Sequence, residues 1–142
     1  MRTPLAFTLI LVFLSLSAFH VYWALGGLYG KPAAFARADG KTVFAPSAFA
    51  TLLVGIGLAG CAGLSAATAG LIPSPLSGHA HGSLSFALAA ALMARAIGDF
   101  KLVGFFKPTA DDPFARVDTL VYSPVCLGLA LAVGSLAMLS RA

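Results

Sequence analysis

The sequence predicts an all-α fold, a transmembrane four-helix bundle built from two similar helical hairpins within a single integral membrane domain, residues 1–142. Three observations predict this class: composition, four long apolar runs, and a motif order that recurs in two loops. The chain is 59% hydrophobic and 10% charged, whereas soluble domains are about 45–50% apolar and about 25% charged. This composition excludes a soluble or disordered protein, and it argues against nucleic-acid binding as the main role.

The four apolar runs are long enough to cross about 30 Å of hydrocarbon as helices. They predict spans at residues 4–24, 46–71, 78–98 and 119–139. Pro4, Pro46 and Pro124 lie at or near predicted helix starts, where a missing N–H costs least. Arg2 followed by an apolar run also fits a cleaved signal peptide. Because a small-residue cleavage site does not follow cleanly, we expect the first span to be retained.

Basic residues are concentrated in the two long connections, residues 25–45 and 99–118. These connections contain Lys31, Arg37, Lys41, Lys101, Lys107 and Arg116. The opposite side of the predicted bundle has only Arg2 and Arg141. Because cytoplasmic loops carry an excess of Lys and Arg, we expect the long loops in the cytoplasm and both termini outside.

The same two connections share an order of motifs. The first match is Lys-Pro, which ends residues 25–32 as Gly-Lys-Pro and residues 102–108 as Phe-Lys-Pro. The second is Phe-Ala-Arg-x-Asp, at residues 35–39 and 114–118. A proline then follows in each copy, Pro46 and Pro124. We interpret this as an internal duplication, because the shared Arg-x-Asp is not apolar filler. Each half would form one hairpin, and the two would be a parallel repeat about an axis along the membrane normal.

Small residues recur every four positions on two faces of the second predicted span. One stripe includes Gly55 and Gly63, and the other includes Gly57 and Cys61. Such stripes let transmembrane helices approach closely. We therefore expect this span to be packed on both sides.

Polar residues of three spans converge on the predicted cytoplasmic end. The candidate ligand-binding cluster consists of His20, Tyr22, Trp23, Arg95, Asp99, Asp118 and Tyr122. An intramembrane charge normally faces the bundle interior and has a partner. Residues four apart can pair on one helix, so Arg95 and Asp99 can pair within their own helix, and His20, Asp118 and Tyr122 are candidates to complete the network at that depth. The alternative is that the Arg95–Asp99 pair only sets helix depth at the interface and that His20 and Trp23 form an aromatic belt.

Other chemistry has weaker support in the sequence. His79 and His81 are weak metal candidates, because a structural metal site needs about four ligands, and we expect no metal and no cofactor. Cys61 and Cys126 differ by roughly 12 Å in predicted depth, which argues against a disulfide. Residues 105–108 (Phe-Phe-Lys-Pro) are interpreted as an interfacial anchor with Lys107 toward the head groups.

Three segments together resemble one family. They are His20 to Gly27, which contains Tyr-Trp-Ala-Leu-Gly-Gly; Arg95 to Lys107, which contains Ile-Gly-Asp-Phe and Val-Gly-Phe-Phe-Lys; and Phe114 to Pro124. The chain is similar over nearly its whole length to the small bacterial membrane proteins grouped as domain of unknown function 3995. The resemblance implies a four-span protein of the bacterial cytoplasmic (inner) membrane, and it implies no activity.

The sequence leaves three functions open. The first is a polar pocket that binds or helps move a small anionic or lipid-like ligand, with Arg95 contacting a carboxylate or phosphate. The second is a membrane enzyme acting on a lipid-soluble substrate, with His20 as acid or base, Asp99 or Asp118 as its partner and Tyr122 as a donor. It ranks lower because the sequence has neither a nucleophile motif nor a complete set of metal ligands. The third is a structural or assembly subunit. The expected partners are the lipid bilayer and either a second copy or another membrane protein, and no nucleic acid.

Overall fold

A computed structural model describes residues 1–30, 37–38, 41–42, 45–98, 100, 103–107 and 113–141. The helices are α1 (Arg2–Ala24), α2 (Ala48–Thr68), α3 (Gly78–Ile97), α4 (Pro113–Val117) and α5 (Ser123–Leu139). A π-helical segment, Asp118–Tyr122, joins α4 to α5. Two-residue strands β1 (Arg37–Ala38) and β2 (Lys41–Thr42) pair antiparallel between α1 and α2.

Four helices of the described chain are long and apolar enough to cross a membrane, and the fourth runs continuously over Phe114–Leu139. Their outward faces expose large apolar side chains, such as Phe7 at 59%, Leu11 at 67% and Leu131 at 59%. Soluble monomers rarely expose contiguous apolar faces of this kind. The predicted all-α fold with four apolar helices is confirmed, and the protein is a multi-pass membrane protein.

The helices pair as two antiparallel hairpins. α1 packs most extensively on α2, and α3 on α5, while α2 and α3 meet over a smaller area. The hairpins share one apolar core, to which Leu9 and Phe13 of α1 and Val133 and Leu136 of α5 contribute almost fully buried side chains. Burial of large apolar side chains against each other supplies the dispersion contacts that hold helices together in lipid.

The bundle has two distinct ends. At the end that we call the loop end, α1 and α3 finish and α2 begins after residues 45–47. At the opposite end, the turn end, residues 69–77 connect α2 to α3. Ser47 and Ser77 cap the starts of α2 and α3, since each hydroxyl accepts a hydrogen bond from a backbone N–H three residues later.

Small and hydroxyl side chains fix the contacts between neighbouring helices. Ser17 of α1 donates a 2.8 Å hydrogen bond to the Gly55 carbonyl of α2. A Cβ on Gly55 would lie 3.3 Å from the His20 Cβ atom, so glycine permits this close approach. On the other side of α2, Thr68 of α2 and Ser85 of α3 share a buried 3.1 Å hydrogen bond between their hydroxyl groups.

The prediction that α2 is packed on both sides agrees with its contacts, since α2 packs on α1 and, over smaller areas, on α3 and α5. Three of its glycines nevertheless lie on an open surface. A Cβ added at Gly57, Gly60 or Gly63 would meet nothing within 4 Å. Gly57 and Gly60 are exposed, whereas Gly55 is buried against α1. Gly55 therefore permits a close helix contact, whereas Gly57, Gly60 and Gly63 make none.

The internal duplication stays a prediction. Much of its first copy, including Phe35 and Asp39, lies outside the described residues. The pairing of α1 with α2 and of α3 with α5 agrees with one hairpin in each half.

Candidate functional site

A buried carboxylate lies at the centre of the loop end. The Asp118 side chain is 0% exposed. Its Oδ1 atom accepts a 2.6 Å hydrogen bond from Arg95 Nη2, and its Oδ2 atom accepts bonds from Lys107 Nζ at 2.7 Å and Gly104 N at 2.8 Å. Ser123 Oγ donates a longer bond of 3.3 Å. We call these five residues the Asp118 cluster.

The π-helical turn places the carboxylate. Ser123 N donates to the Asp118 carbonyl, five residues back. Pro124 follows at once, and a proline has no N–H for the ordinary bond to the carbonyl four residues earlier. The wider turn accommodates that missing bond. π-Turns within α-helices are frequent at functional sites.

The loop after α3 supplies two members of the cluster. Phe105 N donates a 2.9 Å bond to the Ala96 carbonyl, which folds the loop back onto the end of α3. Gly98 and Gly104 have φ of 88° and 93°, in the left-handed region that favours glycine. Added Cβ atoms there would collide with the backbone of Val103 and of Ile97 respectively. The two glycines thus allow the fold-back that brings Gly104 N and Lys107 to Asp118.

Lys107 is buried, not interfacial. Its side chain is 1% exposed. Nζ donates to Asp118 Oδ2, to the Gly104 carbonyl at 2.8 Å and to Thr119 Oγ1 at 2.8 Å. These bonds use all three donors of the ammonium group. The interpretation of Lys107 as a head-group anchor is wrong, because the loop turns inward and the carboxylate pairs with the amine.

Arg95 has unused hydrogen-bonding capacity. Its Nη1 atom is buried and has no hydrogen-bond partner in the described chain, although the whole side chain is 34% exposed. Arg95 and Lys107 carry two positive charges against the single negative charge of Asp118. The described members of the cluster therefore have a net charge of +1, and one edge of the Arg95 guanidinium is free of described hydrogen bonds. The predicted partner Asp99 lies outside the described residues.

The aromatic candidates form a separate group at the end of α1. His20 Nδ1–H donates to the Leu16 carbonyl at 2.8 Å, and its ring meets Trp23 edge-on at 5.3 Å between centroids. Trp23 Nε1 donates to the Tyr29 carbonyl at 2.8 Å, and Tyr22 Oη accepts from Tyr29 N at 3.4 Å. These bonds stay within residues 16–29, and none of them reaches the Asp118 cluster.

Tyr122 lies at the end of the same π-helical turn as Asp118. Its ring lies 6.3 Å from that of Phe114, measured between centroids. Of the seven predicted residues, the structure joins Arg95 directly to Asp118 and places Tyr122 beside them. His20, Tyr22 and Trp23 form the neighbouring aromatic group.

Three members of the cluster were missing from the sequence-based candidates: Gly104, Lys107 and Ser123. A signal for Lys107 did exist, since Lys-Pro recurs in both loops ahead of the shared Arg-x-Asp motif. Ser123 directly precedes Pro124 in the last of the three segments that carry the family resemblance. For the backbone N–H of Gly104, the sequence contains no such signal.

Within the described residues, no group of three or more His, Cys, Asp or Glu side chains is placed to hold a metal ion. The weak candidate His81 instead shares a 2.9 Å hydrogen bond with Ser74 Oγ through its Nε2 atom. Cys61 and Cys126 are free thiols.

Four apolar helices define a multi-pass α-helical membrane protein, and a buried Arg–Asp–Lys cluster lies at one end of the helix bundle. The chain belongs to the family described as protein of unknown function DUF3995, whose model matches residues 13–133. No curated protein and no solved structure matches it.

Proposed function

We propose that the protein binds, or helps to move, a small anionic or lipid-like ligand at the loop end, with Arg95 contacting its carboxylate or phosphate group. One observation carries the proposal. Arg95 Nη1 is buried and lacks a hydrogen-bond partner among the described residues, while Nη2 is held by Asp118. A buried unsatisfied N–H group costs about 1–3 kcal/mol, so an acceptor at this position would stabilise the site.

The arrangement orients the guanidinium for binding. Asp118 is fully buried and fixes one edge of the fork at 2.6 Å. Because guanidinium presents several donors in a rigid plane, the remaining edge keeps a defined direction and can meet two oxygens of one anion. Asp118 is the positioning residue, and Arg95 is the contact residue.

The positive charge around Arg95 favours binding of an anion. Lys107 adds a second positive charge beside the same carboxylate, and its side chain is almost fully buried, so water screens this charge little. Charges in a low-dielectric environment act more strongly than in water. Among the described residues the cluster has an excess of one positive charge, which favours an anionic ligand near Arg95.

Binding to the purified protein tests this proposal. Inorganic phosphate and acetate represent soluble anions, and vesicles of phosphatidylcholine with or without phosphatidylglycerol represent the lipid source. Saturable binding by calorimetry should be lost in Arg95→Ala and weakened about tenfold or more in Arg95→Lys, which keeps the charge but not the bidentate fork. Arg116→Ala is the matched control, because this exposed arginine lies at the same end outside the cluster.

The outcomes separate the candidate roles. Binding of phosphate or acetate alone identifies a soluble ligand, and binding only to phosphatidylglycerol vesicles identifies a head group. If Arg95 has only a structural role, Arg95→Ala should lower stability, and no anion should bind to the unmodified protein or to the variant. That result would overturn the ligand proposal, and so would equal binding by Arg95→Ala and Arg116→Ala. The enzyme hypothesis gains no support, since the described contacts of His20 include no carboxylate.

We also propose that the loop end faces the cytoplasm of a bacterial inner membrane. The support is the excess of Lys and Arg in the long loops under the positive-inside rule, together with the family resemblance. A soluble ligand of Arg95 would then come from the cytoplasm.

A further inference from the structure

The loop that follows α3 has two different sides. Lys107 lies on the inner side, where its side chain is 1% exposed and pairs with Asp118. Phe100 and Phe106 lie on the outer side and are 61% and 65% exposed. Their rings lie 6.1 Å apart, measured between centroids, and we call them the phenylalanine pair. Exposed apolar patches mark contacts with other proteins or with membranes.

We infer that the phenylalanine pair is inserted into the bilayer at the loop end, at the boundary between head groups and acyl chains. The lipid surface is therefore the partner of this patch. Phe is one of the residues that interfacial segments bury about 5–10 Å into this boundary. The inference keeps an interfacial anchor in this loop, but it assigns the anchoring to the two rings, because Lys107 is turned inward.

The length of α3 gives the depth of the pair. This helix has 20 residues, which rise about 30 Å and match the thickness of the hydrocarbon core. Its last turn therefore lies at the boundary. Phe105 N donates a 2.9 Å hydrogen bond to the Ala96 carbonyl in that turn, and adjacent Cα atoms are about 3.8 Å apart. Phe106 thus lies close to the level of the boundary.

A second measure of depth comes from the helix on the other side of the loop. The helical stretch from Asp118 to Leu139 also rises about 30 Å, so Asp118 lies at one boundary when Leu139 lies at the other. Lys107 Nζ is 2.7 Å from Asp118 Oδ2, and Lys107 directly follows Phe106 in the chain. The two helices therefore assign the same depth to Phe106 and, through the ring contact, to Phe100.

The backbone at Phe100 supports a role for its ring. Phe100 has φ of 62°, in the left-handed region that favours glycine. Gly98 and Gly104 of the same loop adopt such angles without a side chain. A bulky residue in this region is an outlier with an energetic cost. Transfer of the ring from water into the acyl region offsets that cost, whereas a ring left in water has no such compensation.

Depth-dependent fluorescence quenching tests the inference in vesicles that contain the full chain. Trp23 is the single tryptophan, so Trp23→Phe gives a background in which Phe106→Trp or Phe100→Trp introduces one reporter. The vesicles contain phosphatidylcholine with bromine either near the carbonyl end or near the methyl end of the acyl chain. We expect both reporters to be quenched more strongly by the bromine near the carbonyl end, and only weakly by acrylamide in the water.

The matched control is Leu11→Trp in the same background. Leu11 is 67% exposed and lies near the middle of α1, so its reporter should show the opposite order of quenching by the two lipids. Circular dichroism checks that each variant keeps its helices. If Trp23→Phe lowers the helix content, the reporters are measured with Trp23 retained, as the difference from the unmodified protein.

Three results would overturn the inference. Strong quenching by acrylamide with little quenching by bromine would place the pair in water. Protection from both quenchers would mean that a protein surface covers the rings instead of lipid. Stronger quenching by the bromine near the methyl end would contradict a position at the boundary. Arg95→Ala should leave the order of quenching unchanged, so the result is independent of the proposed anion site.

Discussion

Replacing Asp118 by Asn removes the only negative charge of the described cluster while keeping the size of the side chain. The consequence falls mainly on Lys107. Arg95 is 34% exposed and can turn toward water, whereas the Lys107 side chain is 1% exposed and has no such route. The ammonium would keep only neutral acceptors: Thr119 Oγ1, the Gly104 carbonyl and, at most, the amide oxygen of the substituted side chain.

The expected cost follows from this burial. Removing one partner of a buried ion pair costs about 3–5 kcal/mol, because the other charge is left uncompensated. Lys107→Met should cost less, about 1.5–3 kcal/mol for the lost charged hydrogen bonds, since Asp118 keeps Arg95 and the Gly104 N–H. The double variant should recover part of the loss in Asp118→Asn, with a coupling free energy of about 1–3 kcal/mol.

The assay is reversible unfolding in mixed detergent micelles, followed by circular dichroism as the denaturing detergent is increased. All four proteins of the cycle are compared under one condition. Arg116→Ala serves as the control for loss of a charge at the same end, and it should change stability by less than about 0.5 kcal/mol. The reasoning is refuted if Asp118→Asn lies within that same small range, or if the two single effects simply add.

Three further predictions concern the backbone, the helix contacts and the orientation. Gly98→Ala and Gly104→Ala should each destabilise by more than about 1 kcal/mol and reduce anion binding, because the fold-back loop would open; wild-type melting and binding would contradict the role of this loop. Ser17→Ala should cost about 0.6 kcal/mol, and Thr68→Val no more than about 1.7 kcal/mol, typical of hydrogen bonds between membrane helices; unfolding measurements with no change in either would show that these bonds are dispensable. A C-terminal reporter that is active only outside the cytoplasm should be active, because we expect both termini outside. Activity of a reporter that works only in the cytoplasm would show that the proposed orientation is wrong.

The fold was accessible from sequence because lipid restricts the alternatives. Backbone groups in hydrocarbon must be paired internally, so apolar runs of sufficient length become helices. The pattern also indicated which end would be polar, and Arg95 and Asp118 do meet there. Glycine stripes were less informative, since a small residue permits a close helix contact without requiring one; Gly55 makes such a contact and Gly57 does not.

The partners within the site were harder to predict. Spacing along one helix favoured Asp99 for Arg95, and that pairing stays a prediction because Asp99 lies outside the described residues. Tertiary packing brings Asp118 to Arg95 from a different helix. The burial of Lys107 depends on two left-handed glycines and a π-turn before Pro124. Those features decide the path of the loop, and hydrophobic patterning contains no information about them. A Lys in a loop therefore resembles a head-group anchor until the loop path is known.

The most direct test of the anion site is native mass spectrometry of the protein released from mild detergent. We predict a specific retained mass with a carboxylate or phosphate group, which disappears in Arg95→Ala and remains in Arg116→Ala. The same spectrum reports the subunit count and any bound metal. A bare chain, or a retained mass that is equally abundant in Arg95→Ala, would contradict the proposal that the Asp118 cluster holds Arg95 ready for an anionic ligand.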